Sequence, residues 1–130
     1  MEYDKLIQKI LREQGYSANM ARILAAVSRH ETDNYGSHVF KTLNNMFGMR
    51  FPRIRKTTAL YESASRYSVY SSAADSVLDM VYYLDARRFP SDVSGPRALV
   101  EMMKAKGYFE DTLDNYLRGV ENALPKVASL

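Results

Sequence analysis

At 130 residues the chain is long enough to bury one hydrophobic core and too short for two. A content of 46% hydrophobic and 25% charged residues is that of an ordinary soluble globular protein, and the lack of cysteine excludes disulfides and cysteine-rich zinc sites. The formal charge of +3 favours polyanionic partners but is too small to choose between nucleic acid and an anionic cell wall.

The N-terminal stretch MEYDKLIQKILREQG is charged and amphipathic. Leu6, Ile7, Ile10 and Leu11 share one face, which predicts a helix over 3–14 with Gly15 as its stop. With no long apolar run and no small-residue cleavage site, this stretch predicts neither a Sec signal peptide nor a membrane span. Ser17 suits the N-cap of a second helix that runs to about Glu31. Counting back from Glu31 by four, seven and eleven residues reaches Val27, Leu24 and Met20, so the last carboxylate is aimed along the core-facing stripe. A carboxyl so placed can stay protonated near neutral pH and give its proton to a leaving oxygen, as a glycosidase acid does.

Residues 32–50 are rich in Asn and Gly without sustained periodicity, which predicts a structured loop with one helical turn. The pattern then changes. RIRKTTAL (53–60) carries β-branched residues, YESA (61–64) reads as a turn, and SRYSVY (65–70) alternates Tyr67 and Val69 with polar neighbours, together a hairpin signal. Ser72 caps a strong helix whose inner face holds Val77, Met80, Val81 and Leu84. Pro96 fits a first helical turn, and Leu99, Met102 and Met103 lie on the helix that follows, which ends at Gly107. Asp111 or Thr112 opens a last helix bearing Leu113, Tyr116, Leu117, Val120 and Leu124, and Pro125 stops it. Five helices and one hairpin, with no repeat or low-complexity tract, define an α+β, mainly α fold in a single domain over 1–130.

Four blocks carry a family resemblance: ILAAVSRHETDNYGS (23–37), LNNMFGMR (43–50), SRYSVYSSAADSVLDMVYYL (65–84) and GYFEDTLDNYLRGV (107–120). In order and in approximate spacing they resemble the glucosaminidase family of peptidoglycan hydrolases, which includes autolysins, the flagellar-rod wall hydrolase and phage lytic enzymes. The resemblance covers about residues 18–122. It implies a lysozyme-like helical domain with one small β-hairpin flanking a sugar groove. It also implies cleavage of a β-1,4 bond after N-acetylglucosamine in glycan strands, with no metal or organic cofactor.

Through the resemblance, Glu31 matches the catalytic acid; the plain alternative is an exposed glutamate at a helix end. The helix dipole disfavours charge there by only about 0.3–1 kcal/mol, against about 1.4 kcal/mol per pKa unit. Apolar burial would therefore do most of the tuning. The resemblance also implies a second acid on the hairpin shortly after a Thr-Thr pair. Here Thr57-Thr58 is followed by Ala59, and the nearest acid is Glu62, either a base or stabiliser brought in by a register shift or a polar turn residue. Tyr116 matches a groove tyrosine near the catalytic centre and equally suits the core stripe of its helix. Tyr108 belongs to the same block and is placed with the substrate-binding residues. Phe47 and Gly48 are expected to shape the groove floor, the glycine by close backbone approach. Asn45 offers an amide to a sugar acetamido group or, equally, a brace for its own loop.

His30-Glu31 does not open a metalloprotease motif, because H-E-x-x-H needs histidine where Asn34 stands, so no metal site is expected. RIRK (53–56) reads as a solvated basic face without any nucleic-acid signature, suited to anionic stem peptides and teichoic polymers. The expected partners are peptidoglycan glycan strands and other virion proteins, with no nucleic acid. The expected place of action is the bacterial cell wall, reached in a virion or by release from the cytoplasm. The rival reading is a catalytically weakened, lysozyme-fold structural or glycan-binding component of a virion, favoured by Ala59.

Overall fold

The computed structural model describes residues 2–130. Helix α1 spans Glu2–Glu13, α2 Ala18–Glu31 and α3 His38–Leu43. A hairpin of β1 (Tyr61–Glu62) and β2 (Ser68–Val69) follows, then α4 (Ala73–Ala86), α5 (Pro96–Ala105) and α6 (Leu113–Ala123), with a 3-10 turn at Leu124–Lys126.

Helix α2 is the axis of the core. Ser17 starts it by accepting the Met20 N–H at 3.0 Å, satisfying one of the orphan donors of the first turn. From Met20 to Arg29 only Arg22 escapes full burial. The alanines at 21, 25 and 26 let neighbouring helices approach closely, α1 and α6 packing directly against α2. Helix α4 packs against α1, and α5 against α6. The core is continuous through Ile7, Leu24, Met46, Met80, Leu99 and Val120. Ser72, Thr112 and Pro96 start α4, α6 and α5 as their residue types dictate.

One polar cluster is buried within this packing. Asp4 of α1, with no exposed surface, accepts two bonds from the Arg29 guanidinium, Nε to Oδ1 at 2.9 Å and Nη2 to Oδ2 at 2.8 Å. The Tyr35 hydroxyl donates to Oδ1 at 2.5 Å and the Ala128 N–H to Oδ2 at 3.0 Å. Burial pushes the Asp4 pKa up, but the bonds from Arg29, Tyr35 and Ala128 outweigh it and leave it below the ordinary carboxylate value.

Two features differ from the sequence expectations. The loop after α2 carries a six-residue helix, α3, capped by Ser37, so there are six α-helices among the described residues. The hairpin is shorter and displaced. Tyr61 and Glu62, expected in the turn, are the first strand and pair with Val69 and Ser68, and the reversal falls between Ser63 and Tyr67, where Arg66 takes φ +70°. RIRKTTAL forms no strand; it is an extended arm fastened by side chains instead. Arg55 and Thr57 donate to the buried Asp79 of α4, each at 2.6 Å, and Thr58 donates to the Asp75 carbonyl. Its β-branched hydroxyls thus serve α4 rather than a sheet ladder.

Candidate active site

Glu31 ends α2, and the chain leaves it through three successive left-handed residues, Asp33, Asn34 and Tyr35, at φ 51°, 56° and 68°. Such a conformation costs of the order of 1–3 kcal/mol per non-glycine residue and persists only where the surroundings enforce it. Here they do. Thr32 Oγ1 donates to the Ser28 carbonyl at 2.7 Å and accepts the Tyr35 N–H at 2.9 Å. Arg29 donates to Asn34 Oδ1 at 3.2 Å, and the Tyr35 hydroxyl is held on Asp4. The reversal turns the backbone away, and no further helical turn covers the Glu31 carboxyl.

Two groups close on that carboxyl. The Tyr116 hydroxyl donates to Oε2 at 2.5 Å. Gly48, at φ +65°, lies against Oε1, and a Cβ on it would stand 3.0 Å from that oxygen. Glycine is required here twice over, for the left-handed backbone and for the close approach. Burial raises the Glu31 pKa above the ordinary glutamate value, and the Tyr116 bond pulls it back without reversing the shift. The Tyr116 hydroxyl is itself held well above its ordinary pKa, by burial first and then by the Glu31 charge, so it stays a donor.

Tyr116 is fixed by its neighbours. It stacks on Phe109 at 3.8 Å between centroids and 4° between planes, and meets the edge of His30 at 4.5 Å. Gly119 of α6 makes room for the His30 ring: a Cβ there would fall 2.2 Å from Nδ1 and 2.3 Å from Cε1. In an open helix Gly→Ala stabilises by up to about 1 kcal/mol. Gly119→Ala is instead expected to destabilise by roughly 1–3 kcal/mol through overpacking, seen as a lower melting temperature by circular dichroism. An increase would show that the His30 ring moves freely.

The remaining expected residues fall into different places. Phe47 is fully buried beneath the site, and its carbonyl accepts the Tyr108 hydroxyl at 2.7 Å, so that phenol is a strut for the 45–49 loop. Asn45 takes the loop-bracing role and not the acetamido one. It is buried, its amide donates to the Met49 and Ser68 carbonyls at 2.9 and 3.0 Å, and its oxygen accepts the Met49 N–H. Glu62 sits on β1 in a half-exposed pair with Arg53 at 3.3 Å. Thus Glu31, Gly48 and Tyr116 meet directly and Tyr108 joins them through Phe47, while no hydrogen bond links Glu62 to that group.

Beside Gly48 opens a cleft of about 550 Å³ between the 48–55 segment, α4 and the end of α5, with Gly48 and Tyr108 on its wall. Several of its residues were not singled out from the sequence: Arg50 and Tyr83 lie within the family blocks without an assigned role, and Arg87 and Lys106 lie outside them. No group of three or more metal-ligating side chains is found among the described residues.

A small hairpin beside a helical lobe, with a buried carboxyl next to a cleft, defines a lysozyme-like α+β protein. Residues 5–127 match the model of the glucosaminidase family, described as mannosyl-glycoprotein endo-beta-N-acetylglucosaminidase, and the chain belongs to that family. Membership supports a glycosidase that acts on peptidoglycan. The chain also resembles a solved structure entitled "Structure of a type VI secretion system effector-immunity complex from Pseudomonas protegens", at 16% identity and a TM-score of 0.66 over 95% of this chain and 89% of that one. At that identity the likeness concerns the fold alone. No curated protein matches the sequence.

Proposed function

We propose that the protein cleaves the glycan strand of peptidoglycan as an endo-β-N-acetylglucosaminidase, with Glu31 as general acid. The observation that carries this reading is a carboxyl whose pKa burial raises, set beside an open cleft with one oxygen engaged by Tyr116. Oε2 accepts the phenol, so the proton resides on Oε1, on the Gly48 side, and passes to the glycosidic oxygen as the bond breaks. The carboxylate left behind is stabilised by the Tyr116 hydroxyl.

Glu62 is the second carboxylate of this proposal, activating water or stabilising the oxocarbenium-like centre. Its pair with Arg53 is partly exposed and contributes at most about 1 kcal/mol, and strands of two residues leave the hairpin easy to shift. The place of action is the bacterial wall, reached aboard a virion or by release from the cytoplasm.

The test is digestion of purified sacculi, followed by borohydride reduction and analysis of the new reducing ends. N-acetylglucosaminitol ends are expected. N-acetylmuraminitol ends would replace the assignment by a muramidase. Glu62→Gln is expected to slow release at least tenfold, the lower part of the general acid–base range of about 10²–10⁴-fold being reduced by partial exposure; an unchanged rate would transfer its step to the substrate's acetamido group.

Tyr116→Phe separates the roles at Glu31. Losing a hydrogen bond to a charged group costs about 1.5–3 kcal/mol, so kcat should fall by roughly 10–100-fold. The bond lowers the Glu31 pKa, so its loss should shift the alkaline limb of the kcat/KM profile to higher pH. A limb that stays in place would detach Tyr116 from the acid.

A further inference from the structure

The cleft beside Glu31 carries charge of one sign. Arg50, Arg53, Arg55, Arg87 and Lys106 line it, and no carboxylate does among the described residues. Two of these cations are already compensated. Arg55 is paired with the buried Asp79 at 2.6 Å and Arg53 with Glu62 at 3.3 Å. Arg50, Arg87 and Lys106 make no ion pair among the described residues.

Their other contacts fix them without neutralising them. Arg87 Nη2 donates to the Lys106 carbonyl, which holds the ends of α4 and α5 together on one wall. The Arg87 guanidinium lies 5.9 Å from the Tyr83 ring and the Lys106 ammonium 5.4 Å from the Phe89 ring. Arg50 stands over Tyr67 at 4.6 Å and donates to the Ser65 carbonyl at 3.2 Å. Between the cations the wall is apolar, with Phe51, Pro52 and Ala86. A concave surface with unpaired charge of one sign focuses its field on a counter-ion. A neutral sugar chain needs no such field.

We propose that this cleft is a subsite for a carboxylate borne on a side arm of the glycan, with Arg87 and Lys106 as its ligands and Arg50 contributing long-range attraction. The substrate class is then an acidic glycan strand and not a neutral chitin- or mannose-type one. Guanidinium and carboxylate match in charge and planar geometry. A volume of about 550 Å³ falls within the range of ligand clefts, about 300–1,000 Å³. Gly48 belongs both to this wall and to the contact with Glu31, so an arm seated here would hang from a sugar next to the cleaved bond. The inference deepens the proposed glycosidase reading and takes the position of the scissile bond from it.

Binding tests it independently of turnover. The Glu31→Gln chain is titrated calorimetrically with glycan fragments bearing peptide stems, with the same fragments stripped to the free lactyl carboxylate, and with neutral chitooligosaccharides of equal length. Acidic fragments are expected to bind roughly tenfold more tightly than neutral ones, as one charge-assisted bond provides, and the advantage should shrink as salt is raised. Arg87→Gln and Lys106→Gln should each remove most of that advantage and leave the neutral affinity unchanged, with melting temperatures checked to confirm folding. A preference for the stripped ligand alone assigns the lactyl carboxylate, which the stemmed ligand holds as an amide; a preference for the stemmed ligand alone assigns the peptide carboxylates, and a preference for both shows that the cleft accepts either carboxylate. Equal affinity for acidic and neutral ligands, or an advantage untouched by either variant, overturns the subsite. Native protein that cuts no strand overturns the glycosidase reading instead, and the binding contrast still decides the subsite.

Discussion

Glu31→Gln is expected to remove glycan cleavage, by the factor of about 10²–10⁴ that a general acid contributes, and at the same time to raise the melting temperature. Both effects have one origin. Burial raises the folded-state pKa of Glu31, so the unfolded chain gives up the proton first as pH rises. Between the unfolded and the folded pKa the native state holds more protons, and native stability falls with increasing pH. Glutamine carries no charge and keeps an oxygen to accept the Tyr116 hydroxyl. The variant's advantage should therefore be small near pH 4, grow through that window and level off above the folded pKa. Thermal melts of both proteins at acid and alkaline pH, beside release from sacculi, measure it. A gap in melting temperature that does not grow with pH would mean that no proton is held at Glu31. Equal inactivity of both proteins, with wall binding intact, would establish the structural reading favoured by Ala59.

Asp4→Ala is expected to have the largest effect on stability. Removing one partner of a buried ion pair costs about 3–5 kcal/mol, a large part of the roughly 5–15 kcal/mol that holds a domain together. For a chain of this length the melting temperature should drop by roughly 10–20 °C. The loss is also functional, because Asp4 holds Arg29 and Tyr35, on either side of Glu31 in the chain. The folded pKa of Asp4 is lowered, so its contribution is present above the unfolded value of about 3.9 and is lost as pH falls through the folded one. The difference between native and variant melts should accordingly narrow in acid. Asp4→Leu combined with Arg29→Met should recover part of the loss, since the uncompensated cation is gone. An Asp4→Ala protein with native stability at pH 7 would remove the cluster from the account of the site.

The helices were legible in the sequence because their signals are local. Ser17, Ser72 and Thr112 satisfy first-turn N–H groups within three residues, Pro96 supplies its own φ, and the apolar stripes report the buried faces. The family blocks added Glu31, Gly48 and Tyr116 as a set, and the three meet in space. The hairpin was misplaced because β-branched composition reports a preference for extended backbone and not the presence of a pairing partner. The hydroxyls of Thr57 and Thr58 find theirs on α4, a contact that no local pattern records. Asn45 could serve a ligand or its own loop, and only the positions of the Met49 and Ser68 carbonyls decide for the loop. The RIRK tract was visible, but its two arginines are spent on Asp79 and Glu62. The unpaired cations of the cleft come from positions 50, 87 and 106, too far apart along the chain to form a motif.

The fastening of the 53–60 arm bears on how this molecule could be re-engineered. It hangs from α4 by three side chains, Arg55, Thr57 and Thr58. Ile54 and Leu60, which flank these anchors, are largely exposed, and Ile54 lines the cleft. A combinatorial library that preserves the three anchors and randomises Ile54 and Leu60 on either side of them would sample new substrate preferences on an unchanged helical chassis.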